Sequence, residues 1–226
     1  MQYEIIGGNF PVVVCTLSSG ETVISEKGGM SWMSRGIDMK TSTGGGIMKG
    51  LARTFSGESM FLNYYTANSA GQKIAFGSSY AGRVLDIRIE PGKDIIAQKS
   101  SMLVMEENVD IKTHFRKKIG AGFFGGEGFI LQRFSGNGMA FLEIDGEIQE
   151  YNLSSGEELV IDQGYLAAME STVSFDIERV KGLKNIMFGG EGLFVGLLKG
   201  PGKVWLQTMP ISNLANAIIS KIPSGS

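Results

Sequence analysis

The sequence predicts an all-β protein: three tandem repeats, each a short double-stranded β-helix or β-sandwich, in a pseudo-threefold arrangement with a short C-terminal helix. Three observations lead there. Two sequence markers recur in register three times along the 226 residues. Apolar and polar residues alternate with period two over several short runs, which places apolar side chains on one strand face and polar ones on the other. Turn dipeptides containing Gly separate those runs, and the 33 glycines are about twice the ~7% of ordinary domains.

The first marker is Phe124-Gly125-Gly126-Glu127-Gly128-Phe129 against Phe188-Gly189-Gly190-Glu191-Gly192-Leu193, with a weaker copy at Phe55-Ser56-Gly57-Glu58-Ser59. The second lies upstream of each: Gly20-Glu21-Thr22-Val23-Ile24, Gly92-Lys93-Asp94-Ile95-Ile96 and Gly156-Glu157-Glu158-Leu159-Val160. Ten residues beyond each Gly come Met30-Ser31-Trp32-Met33, Met102-Leu103-Val104-Met105 and Leu166-Ala167-Ala168-Met169. The markers divide the chain into repeats at 1–83, 84–149 and 150–210.

Within the repeats, alternation marks strands at Val84–Ile89, Val109–Lys112, Met139–Ile144 and Val173–Val180. Ser19-Gly20, Pro91-Gly92, Asp145-Gly146, Ser155-Gly156 and Pro201-Gly202 are the turns between strands. A β unit of ~65 residues is marginal alone, so the repeats should pack around a shared core. An echo of Val204–Thr208 in the earlier repeats places the completion of the last copy near the N-terminal strand, closing a ring. From 211 to 222 the period changes. Ile211, Leu214, Ala215, Ile218 and Ile222 share one helical face, with Ser212 or Asn213 as the cap, and the expected role is to lie over an apolar flank. Docking on a partner or a membrane is the second role, weakened for membranes because Lys221 is the helix's one charge.

Composition excludes several classes of function. The formal charge of −2 is not that of a generally basic nucleic-acid binder. One Cys (Cys15) rules out an internal disulfide framework, and one His (His114) rules out a multi-His metal centre. No apolar run approaches the ~18 residues that span a bilayer, and the first residues carry no secretion signal, so a cytoplasmic location is expected.

No catalytic constellation is visible. A nucleophilic triad would have to use His114, which sits in an alternating strand and is expected to face solvent. Cys15 reads as a small buried residue. Gly120–Gly125 fits the letters of a dinucleotide fingerprint, but a basic stretch precedes it and Gly126-Glu127-Gly128 follows, where a strand and a helix are needed. The repeated loops Gly57-Glu58, Gly126-Glu127 and Gly190-Glu191 are candidate structural or interaction loops; one carboxylate per repeat is too few for a metal. Phe115, Arg116, Lys117 and Lys118 form a candidate RNA rim, in which an aromatic and three cations could stack bases and pair phosphates. Methionines at repeat-equivalent positions read as core filling.

Further motifs resemble a known family. They are Tyr3-Glu4-Ile5-Ile6-Gly7-Gly8, Thr41–Gly46, Ser56–Phe61, Gly120–Phe129, Gly182–Asn185, Phe188–Phe194 and Gly200–Gln207. Together they resemble the altered-inheritance-of-mitochondria twenty-four family over nearly the whole chain. The resemblance implies a fold similar to the tryptophan RNA-binding attenuation protein in tandem copies, and it implies no catalytic residues. Fungal members look like mitochondrial inner-membrane organisation factors; without a visible presequence that role does not transfer directly.

The leading expectation is a non-enzymatic binding or scaffold protein without cofactor or metal, whose partner is another protein or a second copy of the chain. An RNA-binding ring using the Phe115–Lys118 rim is the second reading. A small-molecule sensor or enzyme with a pocket between repeats is the third.

Overall fold

A computed structural model describes residues 1–42, 62–117, 128–179 and 194–222. The described residues form antiparallel β-strands, with two short 3-10 turns and one helix among them. After β1 (Gln2–Ile6), six strands follow: β2 (Val12–Leu17), β3 (Thr22–Glu26), β4 (Met30–Met33), β5 (Ile37–Ser42), β6 (Leu62–Ala67) and β7 (Gln72–Gly77). The next six are β8 (Gly82–Ile89), β9 (Ile95–Gln98), β10 (Met102–Glu106), β11 (Val109–Lys117), β12 (Phe129–Gly136) and β13 (Gly138–Asp145). The last six are β14 (Ile148–Leu153), β15 (Glu158–Ile161), β16 (Leu166–Glu170), β17 (Ser174–Arg179), β18 (Phe194–Lys199) and β19 (Gly202–Gln207), before α1 (Ile211–Ile219).

Pairing crosses from each set of six into the next. The four sheets run β1-β2-β7-β4, β5-β6-β3-β10-β13-β8, β11-β12-β9-β16-β19-β14 and β15-β18-β17. Each six-stranded sheet is therefore half from one set and half from the following set. The seams are β3 with β10 (Met105 opposite Ile24) and β9 with β16 (Met169 opposite Ile96). Three apolar clusters fill the spaces between successive sheets. Phe76, Tyr65 and Phe141 lie in one cluster, Ile111, Phe134 and Ile89 in the next, and Phe129, Leu198 and Val204 in the last. Both faces of each six-stranded sheet are thus covered, and β10 and β16 are buried at four of their five positions.

Local details recur at the positions where the sequence markers coincide. Gly20, Gly92 and Gly156 take φ of +78°, +80° and +79°, in turns closed by Glu21 N–H to Ser18 O, Lys93 N–H to Glu90 O and Glu157 N–H to Ser154 O. Register shifts fall between Met30 and Trp32, Met102 and Val104, and Leu166 and Ala168. The extra residue turns Leu103 and Val104 together toward one core, while Met102 and Met105 face the other. At the start of β7, β13 and β19, the N–H of Lys73, Met139 and Lys203 donates to Ser34 Oγ, Glu106 Oε2 and Glu170 Oε2.

Two expectations are corrected here. β19 does not return to the N-terminal strand: it lies between β16 and β14, and β1 pairs with β2. Among the described residues, β4 is paired only by β7 and β15 only by β18, so hydrogen bonding does not close the sheets into a ring. The helix is also not laid over an apolar flank. Leu214, Ile218, Ile219 and Ile222 are exposed, and no residue of α1 is fully buried.

Candidate functional site

The rim residues follow from the path of β11. It pairs with β12 in register up to Thr113 opposite Gln132, and resumes at Phe115 opposite Leu131, leaving His114 as the extra residue of a bulge. The bulge re-aims the side chains that follow. Phe115 is half-buried, with its ring edge-on to Phe175 at 5.4 Å and to Phe129 at 6.5 Å between centroids. Those contacts use the ring for packing, where stacking a base would need an open face. Lys117 Nζ donates to Ile177 O at 2.6 Å and lies 3.4 Å from Asp176 Oδ1. Arg116 is exposed on the other side of the strand. The candidate rim is therefore split between two faces of β11.

Asp176 is held below the usual carboxylate range, first by the Ile177 N–H and then by Lys117. His114 is exposed, with Nδ1 3.3 Å from Arg133 Nη2. Partial burial, and then the Arg133 charge, lower its basicity. Arg133 is in turn bonded to Asp94 Oδ2 at 2.9 Å. This is a charge network that links His114, Arg133 and Asp94 across the strands. Cys15 is fully buried in β2, and burial pushes its thiol up to about 12. Lys118 and the loop residues Gly57, Glu58, Gly126, Glu127, Gly190 and Glu191 lie outside the described residues, as does all of Gly120–Gly125. Among the described residues, no three His, Cys, Asp or Glu side chains gather to hold a metal ion.

The helix presents a different chemistry. Its first turn is fastened to the β framework: Ile211 N–H donates to Asp145 Oδ2 at 2.7 Å, and Asn213 Nδ2 to Tyr165 Oη at 3.2 Å. The cap is thus Asp145 from β13, and neither Ser212 nor Asn213 supplies it. Pro210 is buried at the entry. Beyond the first turn, Leu214, Ile218 and Ile222 are exposed.

Two half-buried acids carried no sequence signal beyond being polar positions. Glu143 Oε2 accepts from Ser79 N–H at 2.7 Å and from Ser78 Oγ at 3.0 Å, and burial raises its carboxyl. Glu26 is raised by burial too, with Lys99 opposing and Glu143 reinforcing the shift. Both are structural neighbours of the β3–β10 seam.

Among the described residues, no helix is long and apolar enough to cross a membrane. Over 98% of its length the chain superposes on 99% of a crystal structure of a Streptococcus pyogenes protein, with a TM-score of 0.78 at 21% identity. At that identity the likeness shows the fold. No curated protein matches the sequence. The family model described as mitochondrial biogenesis AIM24 matches residues 3–209, so the chain belongs to the AIM24 family.

Proposed function

We propose that the chain is a non-enzymatic binding or scaffold protein whose C-terminal helix engages a partner protein. One observation carries this reading: α1 is anchored through its first turn by Asp145 and Tyr165 while Leu214, Ile218 and Ile222 stay exposed. Leu214 and Ile218 at i and i+4 on a fastened helix, with Ile222 just past its end, fit an apolar groove of another protein, the usual helix-in-groove mode. A bilayer surface is disfavoured, because interfacial helices carry a basic polar face and Lys221 is the one cation here. The RNA reading is weakened by the packing of Phe115 and the internal bonding of Lys117.

Ile218→Glu tests the reading, since this side chain is exposed and its loss removes no core packing. Native mass spectrometry of the protein isolated gently from its host should show a companion with the wild type and none with the variant, at an unchanged melting temperature. Equal retention by both overturns the helix as the contact. Catalytic turnover that persists through purification and vanishes on a single substitution overturns the scaffold reading itself.

A further inference from the structure

The two seams are alike in their backbone and differ in one pair of side chains. Glu26 and Gln98 stand six residues past the turn glycines Gly20 and Gly92. Glu143 and Gln207 stand four residues past Met139 and Lys203, whose N–H groups make the same bond at the start of β13 and β19. In the second seam Gln98 and Gln207 meet on a single acceptor. Both Nε2 groups donate to Gly164 O, at 3.2 and 2.8 Å, and Gln207 Oε1 accepts from the Asp145 N–H at 3.1 Å. In the first seam the Ser79 N–H donates to Glu143 Oε2 at 2.7 Å, which repeats the Asp145 contact. Ser100, the middle of the 3-10 turn Lys99–Ser101, corresponds to Gly164 in the turn Gln163–Tyr165. Each amide donor of the second seam is thus replaced by a carboxyl group in the first, and an ionised carboxylate can only accept.

We propose that Glu26 and Glu143 hold one proton between them, so that the first seam is proton-linked where the second is fixed by amides. This goes beyond the helix reading and does not depend on it. Glu26 Oε1 is buried and has no hydrogen-bond partner among the described residues, a position that penalises a charged oxygen more than a protonated one. The surroundings supply little compensating charge. Lys99, from the 3-10 turn, is the cation acting on Glu26, while Asp145 adds a like charge beside Glu143. The residues opposite the two acids on the neighbouring strands, Leu62 on β6 and Val84 on β8, are apolar. Burial raises both carboxyls, and Glu143 raises Glu26 further. Two carboxylates in such a place do not both ionise until the pH is well above their ordinary range. The folded chain therefore binds more protons here than the unfolded one. The stability this adds is whole below the ordinary glutamate range and is lost as pH rises through the raised value of the pair. The second seam, with Gln98 and Gln207, has no such dependence.

Deuterium exchange of the full chain at a series of pH values tests this, with rates corrected for the intrinsic pH dependence of exchange. The second seam is the control within the same molecule. Peptides covering β3 and β10 should lose protection relative to those covering β9 and β16 as pH rises from about 4.3, the ordinary glutamate value, toward neutrality. Glu26→Gln combined with Glu143→Gln gives the first seam the amides of the second, and the ratio should then stay constant. A second measurement needs no variant. In carbon-13 spectra of the wild type the two carboxyl carbons should titrate as a coupled pair, with at least one midpoint above about 4.3. The proposal is overturned by a constant ratio in the wild type, by the same drift in the double variant, or by both carboxyls ionising at or below the ordinary value. A drift that disappears when a chelator removes metal ions assigns the pair to a cation and overturns the shared proton.

Discussion

The turn glycines that open the second strand of each set allow a quantitative check on their equivalence. Replacing Gly20, Gly92 or Gly156 by Ala adds a Cβ that meets nothing within 4 Å, so no steric contact changes. What remains is the left-handed backbone, at φ of +78°, +80° and +79°, where an L-residue costs roughly 1–2 kcal/mol. Because the geometry is the same at all three turns, the three losses should agree. The turns lie in separate parts of the chain without shared partners, so the triple variant should lose their sum, roughly 3–6 kcal/mol. In urea unfolding, with a slope of about 2 kcal/mol/M, each single variant should move the midpoint down by roughly 0.5–1 M. Asn at the same positions tolerates this backbone and should restore much of the loss. Gly136 supplies the contrast. Its φ is +113° and an added Cβ would stand 2.2 Å from Asn108 O, so strain and a forced backbone shift combine to roughly 2–5 kcal/mol. The reasoning is refuted if the three turn variants differ by more than ~1 kcal/mol, if Asn costs as much as Ala, or if Gly136→Ala is the mildest.

Three further outcomes are expected. Asp145→Ala removes the acceptor for the Ile211 N–H; deuterium exchange should rise over residues 211–219 and stay unchanged in the sheets, at a cost of about 1 kcal/mol for a lost cap. Phe141→Ala empties a fully buried site in the first core and should cost roughly 3–5 kcal/mol in the same urea assay. For Glu143, burial raises the folded carboxyl above its unfolded value, so the native state binds more protons and stability falls as pH rises from the ordinary glutamate range toward the raised value. Glu143→Gln keeps an oxygen for Ser78 and Ser79 and removes the titration. Its stability relative to wild type should therefore increase over that interval and level off above it, as read from melting temperatures at several pH values.

What could be read from the sequence depended on how many faces a strand buries. β8 and β17 have one covered face each along much of their length, so Leu85, Ile87 and Ile89 or Phe175 and Ile177 alternate with polar residues and announce the strand. β3, β10 and β16 lie between two cores, and their runs Val23-Ile24, Met102–Met105 and Leu166–Met169 are apolar at every position. Such runs mark a buried strand without naming its neighbour. The seams were therefore not legible, since main-chain pairing leaves no side-chain signature. Phe115 shows the reverse difficulty. Beside Arg116 and Lys117 it looks like part of a basic rim, but the His114 bulge shifts the alternation and sends the ring among Phe129 and Phe175. The helix period was legible and its covering was not, because periodicity defines an apolar face and says nothing of what touches it. The repeated Gly-Glu loops lie outside the described residues.

The margins of the sheets differ in how they are guarded. A bare edge invites pairing with another chain, and natural sheets discourage it with charged side chains or with a covering strand. Here β1 occupies the side of β2 that would otherwise be open. At the margins formed by β8 and β14, Arg83, Asp86 and Arg88, and Glu150, punctuate the strands. β5 carries Asp38 and Lys40, and β11 carries Lys112 and Arg116. β4 reads Met-Ser-Trp-Met with no charge, and β15 reads Glu-Leu-Val-Ile with one acid at its start. A single acid is all that β1 (Glu4) and β14 (Glu150) carry as well, so among these margins β4 alone is uncharged.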